Sequence, residues 1–158
     1  MYLPHFMLAM IIFLSDQACK ALVRAKIPLG ESVEIVPGKF YIKNIRNHGA
    51  ANGLFANNRR ALMLFTAAAV MSEVRMFFDI SKNFRHSKAA WLMFTMKAGG
   101  GASNVFDRVT RKYTTDYLHI CPRKKSPVFN IADVFILIGA LGLLIIYAKR
   151  LILSVVTK

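Results

Sequence analysis

Four stretches of this chain, residues 3–23, 61–79, 88–106 and 130–148, are apolar over close to the ~20 residues a helix needs to cross the hydrocarbon core of a bilayer. Inside such a core every backbone amide must find its partner within the protein, so only helices or a closed barrel can span. The spacing predicts four transmembrane helices. From Val134 to Tyr147 the fourth is free of charge, whereas the first carries Asp16 and Lys20, the second Glu73 and Arg75, and the third Lys97. Ionised groups at that depth are expensive and need partners, so each is a candidate for function. Glu73 and Arg75 stand two apart, do not share a helix face and read as membrane-edge residues.

Composition agrees with this reading. The chain is 55% hydrophobic, its mean hydropathy is +0.40, and its 158 residues fit one integral membrane domain over 1–158. A formal charge of +14 would suit nucleic acid, but a soluble nucleic-acid binder has no use for such apolar blocks. Lys and Arg gather beside anionic headgroups in small membrane proteins, so membrane phospholipids are the expected partners and nucleic acid is not. The first segment lacks a basic n-region and a small-x-small cleavage site, and reads as a retained helix rather than a cleaved leader. Between the first two helices, residues 24–60 hold the strand formers Val33, Ile35, Val36, Phe40, Tyr41 and Ile42, punctuated by Pro28, Gly30, Pro37 and Gly38. That pattern predicts a small β-rich element on the membrane surface of an otherwise all-α membrane fold.

The polar residues cluster late. One apolar run ends in Gly-Gly-Gly-Ala-Ser-Asn104-Val-Phe-Asp107-Arg108, the next opens with Pro127-Val-Phe-Asn130-Ile-Ala-Asp133, and Thr-Thr-Asp116 lies between them. Two carboxyls brought together can share a proton, the arrangement that activates water for amide hydrolysis. Helix capping is the alternative for Asp116 and Asp133. Asp16 and Lys20, four apart, could neutralise one another, and Gly99 to Gly101 suit close helix packing. His5, His48, His86 and His119 are scattered, so no metal-ligand spacing appears, and no phosphate-cradling motif suggests a cofactor. A Cys121–His119 hydrolase lacks a demonstrated geometry; Cys19 and Cys121 read as unpaired thiols.

Taken in order, Asp16-Gln17-Ala-Cys-Lys20, Asn47-His-Gly49-Ala50-Ala51, Gly-Gly-x-x-x-Asn104-x-x-Asp107-Arg108, Asp116 and Pro-x-Phe-Asn130-x-Ala132-Asp133 resemble the lipoprotein signal peptidase (signal peptidase II) family. The resemblance runs from Asp16 to about Leu144. It implies a monomeric intramembrane aspartyl protease of the bacterial inner membrane, with its active site near the outer face. Such an enzyme cuts lipidated prolipoproteins just before the diacylglyceryl-modified cysteine. By motif, Asp116 and Asp133 are the catalytic pair; Asp16, Lys20, Asn47, Asn104, Arg108 and Asn130 match the polar residues around it, and Asp107 a further acid with a structural role. The chain departs from the pattern at Asn52, usually apolar, and at Lys112, commonly glycine. A catalytically weak homologue that binds lipidated peptides, or an unrelated small lipid-binding membrane protein, are the alternatives.

Topology sets the motifs against the charges. The resemblance places Arg24, Lys26, Lys39, Lys43, Arg46, Arg59, Arg60, Arg108, Arg111, Lys112, Arg123, Lys124 and Lys125 outside, and only Lys82, Arg85, Lys88, Lys149, Arg150 and Lys158 inside. A positive-inside count favours the reverse orientation. The expectation here follows the motifs.

Overall fold

A computed structural model describes residues 3–50, 53–120 and 126–156. Its elements, in chain order, are α1 (Leu3–Lys26), β1 (Ser32–Val36), β2 (Phe40–Asn47), α2 (Arg59–Asn83), α3 (Lys88–Thr110), β3 (Thr114–Ile120) and α4 (Ile131–Val156). Each helix is longer than the apolar segment expected for it: polar residues extend α1, α2 and α3, whereas α4 continues past Lys149 and Arg150 through the largely apolar residues 151–156. Local chemistry sets the starts of α2 and α3. Asn58 accepts the Ala61 N–H at the head of α2, and Ser87 accepts the Ala90 N–H at the head of α3, each satisfying a donor that the first helical turn leaves open.

Among the described residues, α1, α2 and α4 are long and apolar enough to cross a membrane. Helix α3 is not, since Lys97, Asp107 and Arg108 dilute it, yet it packs against α1 and α4 and is the most enclosed of the four. Glycine makes the α3–α4 approach possible. A Cβ on Gly100 would lie 2.5 Å from the Ala132 carbonyl oxygen, and one on Gly139 only 2.4 Å from that of Met93. Gly101, by contrast, faces open space, so the close-packing role expected of the glycine run does not extend to it.

Burial is divided by chemistry. At one end of the bundle Ile80, Ala90, Trp91 and Leu143 form an apolar cluster. At the other end the enclosed residues are polar: Asp16, Lys20, Ser103, Asn104, Asp107, Thr115 and Asn130. Large apolar side chains such as Leu64 and Leu144 point outward, as suits surfaces meeting lipid.

The sheet corrects the expected all-α class with a single β-rich insert. Three antiparallel strands run in the order β1-β2-β3, and the third comes from the α3–α4 connection, outside residues 24–60. Its register with β2 sets Ile45 opposite Asp116 and Asn47 opposite Thr114. Thr-Thr-Asp-Tyr-Leu-His-Ile is short and half polar, so only pairing with a strand some 70 residues earlier makes it β structure. Residue 24 also falls in α1, which continues to Lys26. Glu73 is no edge residue: at 1.5 Å per residue it lies about 21 Å along α2 from Arg59 and pairs with Lys97 of α3. Cys19 is a free thiol; Cys121 lies outside the described residues.

Gly100→Val is expected to lower stability by about 1–3 kcal/mol, since the added atoms meet backbone that cannot yield. Gly101→Ala should be neutral or slightly stabilising. Thermal unfolding in detergent checks both, and equal losses at the two positions would contradict the packing described.

Candidate active site

Asp133 occupies the third position of α4, three residues after Asn130, and the pair forms a reciprocal cap. The Asn130 side chain accepts the Asp133 N–H at 2.9 Å, and Asp133 Oδ2 accepts the Asn130 N–H at 3.1 Å, which satisfies two open donors and fixes the carboxyl. Capping, weighed above as the alternative for both acids, thus describes part of what Asp133 does. Asp116 sits within β3 and caps nothing.

The two carboxyls meet through asparagines. Asp116 Oδ2 accepts from Asn47 Nδ2 at 2.9 Å, and its Oδ1 from Asn130 Nδ2 at 2.8 Å. Asn104 Nδ2 donates to Asp133 Oδ1 at 2.8 Å. Asn130 Nδ2 also reaches Asn104 Oδ1, at 3.3 Å. Asn104 could in principle present either end of its amide, but Lys20 decides. An ammonium only donates, so with Nζ 2.8 Å from Asn104 Oδ1 the amide nitrogen must face Asp133.

Behind this lies a closed ionic network. Lys20 is completely buried and approaches Asp16 Oδ2 at 2.6 Å and Asp107 Oδ2 at 3.1 Å, so with Asn104 its three donors have three acceptors. Asp16 is fully engaged as well. Ser103 Oγ donates to its Oδ2 at 2.6 Å, while the Tyr117 hydroxyl (3.3 Å) and the Ala132 N–H (3.2 Å) reach its Oδ1. Burial and the Asp16 charge push the Tyr117 phenol strongly upward, so it stays a donor. Arg111 pairs with Asp107 at 2.6 Å, and Gln17 donates to Ser103 Oγ at 2.9 Å.

Seven of the eight residues singled out from sequence therefore join one connected network: Asp16, Lys20, Asn47, Asn104, Asp116, Asn130 and Asp133. Arg108 stands slightly apart. Its Nη2 reaches the Gly49 carbonyl at 3.4 Å, its Nε is enclosed without a partner among the described residues, and its charge acts on Asp133 and Asp116. Tyr117, Ser103 and Arg111 were missed by sequence reasoning; only the packing of β3 and α3 against α1 reveals them. Of the two departures noted, Asn52 lies outside the described residues. Lys112 has φ +73°, the left-handed conformation that glycine adopts freely and that costs an L side chain about 1–2 kcal/mol.

Asp116 is strongly perturbed. Burial chiefly, and then the charge of Asp133, push its carboxyl up to about 6, against the opposing hydrogen bonds of Asn47 and Asn130. Over it opens a cleft of about 920 Å³ bordered by Ile45, Asn47, His48, Pro127 and Val128. A carboxyl that holds its proton close to neutral pH, beside a second carboxyl and under an open cleft, has the attributes of an acid–base pair.

Lys20→Met should leave Asp16 and Asp107 buried without their cation and cost about 3–5 kcal/mol, as breaking one side of a buried pair does. Chemical unfolding in detergent measures this, and a loss below about 1 kcal/mol would show that the network is not a unit.

Comparison with known proteins extends the picture. The sequence model described as "Signal peptidase (SPase) II" matches residues 8–149. A lipoprotein signal peptidase of Bacillus subtilis (strain 168) is 32% identical over 142 residues, 89% of this chain and 90% of that protein. One from Halothermothrix orenii is 33% identical over 142 residues, 90% and 92% of the two chains. A solved structure described as a bacterial membrane enzyme superposes with a TM-score of 0.83 at 22% identity, covering 92% of this chain and 88% of the other, which establishes a shared fold.

Proposed function

This chain belongs to the signal peptidase II family, membrane proteases that remove signal peptides from bacterial prolipoproteins, and on that premise we propose that Asp116 and Asp133 are its catalytic pair. The observation that carries the proposal is their joint anchoring by Asn104 and Asn130 under the open cleft.

Water and an amide do not react unaided, so a proton must leave the one as another approaches the other. Asp116, which keeps its proton to about pH 6, donates to the scissile carbonyl oxygen. Asp133 takes a proton from water as its oxygen attacks the carbonyl carbon, giving a neutral gem-diol. In the second step Asp133 passes that proton to the amide nitrogen, the C–N bond breaks, and a gem-diol hydroxyl returns its proton to Asp116. Arg108 and the asparagine amides oppose charge developing on the oxygen, a contribution of about 3 kcal/mol for a well-placed donor.

Connectivity supports a reading with four spans. The ends of α1 and α3 and the start of α4 meet the sheet, and α2 begins after the loop that follows β2, so α3 crosses as the inner helix of the bundle, its polar residues turned to neighbours instead of lipid. The sheet end faces outward from the inner membrane. Several cations there are engaged in the fold: Arg24 with Thr115, Arg111 with Asp107, and Arg46 over the Tyr113 ring at 4.9 Å. This weakens the positive-inside argument against that orientation. The substrate is the diacylglyceryl-modified prolipoprotein, cut before its lipidated cysteine by a monomer embedded in phospholipid.

Asp116→Asn and Asp133→Asn are each expected to reduce turnover of a lipidated substrate about 10²–10⁴-fold without preventing insertion. Near-native turnover by either variant would remove that residue from the pair. The wild type should lose kcat/KM as pH rises beyond about 6, because the last shared proton then leaves the free enzyme. In kcat this limb should lie at higher pH, since bound substrate expels water and raises the cost of ionising the pair. An alkaline limb unchanged in Asp116→Asn would assign it elsewhere.

A further inference from the structure

One ion pair is not used by the chemistry above. Glu73 of α2 and Lys97 of α3 bond to one another across the helix interface, both partly exposed, near the middle of their helices. Lys97 differs from Lys20 in one respect: the donors of Lys20 all have acceptors, whereas among the described residues the Lys97 ammonium has a single hydrogen bond, to Glu73 Oε1. An ammonium carries three N–H groups, and Glu73 Oε2 is enclosed with no other partner among the described residues, so even a Glu73 that engages through both oxygens leaves one Lys97 donor to be satisfied at a depth where bilayer offers no acceptor.

Its position shows what could satisfy that donor. Lys97, Gly101, Asn104 and Arg108 are spaced i, i+4, i+7 and i+11 and so share one face of α3. Asn104 and Arg108 belong to the site, and Gly101 faces open space. This stripe runs from the catalytic pair past Gly101 to Lys97, whose own backbone packs against Gly139 of α4. Below it α2 and α4 are drawn together, Tyr147 bonding to Asp79 and Arg150 to the Asn83 carbonyl. Lys97 thus stands on the helix face that carries Asn104 and Arg108, on the side of them away from the sheet. From Asn104 it is seven residues down the helix, about 10 Å at 1.5 Å per residue.

A peptide bond can reach the two carboxyls only if the chain around it is extended, because helical backbone does not expose its carbonyls to attack. Unwinding the last residues of a membrane-spanning signal peptide frees carbonyl oxygens that lipid cannot satisfy, each at a cost of several kcal/mol. Extended chain covers about 3.3 Å per residue, so a stretch of about 10 Å is three residues. We propose that Lys97, held in place by Glu73, is a substrate-binding residue that donates a hydrogen bond to the signal-peptide backbone carbonyl about three residues before the cut. The inference rests on the assignment of cleavage to Asp116 and Asp133, which fixes where the cut lies.

The test uses the full-length enzyme and synthetic lipopeptides in which one amide is replaced by an ester, whose carbonyl is the poorer acceptor. With the ester three residues before the cut, KM of the wild type should rise about five- to tenfold with kcat little changed, the loss of roughly one hydrogen bond. With the ester six residues before it, KM should not move. Lys97→Met should raise KM for the all-amide substrate by a similar factor and make the enzyme indifferent to the ester. Because Lys97→Met strands an acid, Glu73→Leu/Lys97→Met removes both charges and is measured in parallel. A merely structural pair would lower activity on amide and ester substrates alike and leave their ratio intact. That result, or a wild type that ignores the ester, overturns the proposal. If instead Asp116→Asn and Asp133→Asn remain active while the ester ratio depends on Lys97, the dyad assignment fails and Lys97 still binds substrate, so the two failures are distinguishable.

Discussion

The buried ammonium of Lys20 is the interaction on which the rest of the site depends. It sits on α1 and takes its acceptors from its own helix, through Asp16, and from α3, through Asp107 and Asn104. Two carboxylates about one cation leave a net negative charge, which Arg111 at the rim offsets. In a low-dielectric interior this arrangement is not an efficient source of stability, since apolar residues of equal volume often do as well. What it supplies is direction. A cation with no accepting atom forces Asn104 to show its oxygen inward and its nitrogen to Asp133, and Asp16 binds the backbone beside Asp133 and the phenol beside Asp116.

Asn47 apart, the two carboxyls are therefore positioned from behind by groups that do not border the cleft. One is held on a strand and the other on a helix start, elements that separate easily in a small membrane protein. Asparagine is well suited to the seam, because it donates and accepts from one rigid plane: Asn130 accepts from the α4 backbone while donating to Asp116 and Asn104. Aspartate at either asparagine position would add like charge beside the pair, and a hydroxyl would lack the reach.

Much of this was legible in the sequence, for reasons that differ from residue to residue. The apolar blocks are visible because bilayer thickness imposes a length. The polar motifs are visible because charged and amide side chains at block edges are costly and so informative. Strand β3 was not legible, since Thr114 to Ile120 becomes a strand only by pairing with β2, a contact no local pattern encodes. Neither was the Glu73–Lys97 pair: the two residues lie on different helices, and local spacing offers Glu73 only Arg75, two positions on and off its face. Asp133 shows why the capping and catalytic readings could not be separated beforehand, as one carboxyl caps α4 through Oδ2 and meets Asn104 through Oδ1.

The central claim is that one proton is retained between Asp116 and Asp133 close to neutral pH. Infrared difference spectroscopy of the purified enzyme across a pH titration observes it directly, through the carbonyl stretch of a protonated carboxylic acid. The account predicts that this band persists until the pH passes about 6 and is missing from the double variant Asp116→Asn/Asp133→Asn. A band lost near pH 4, where ordinary carboxyls titrate, or one that survives unchanged in the double variant, would contradict it.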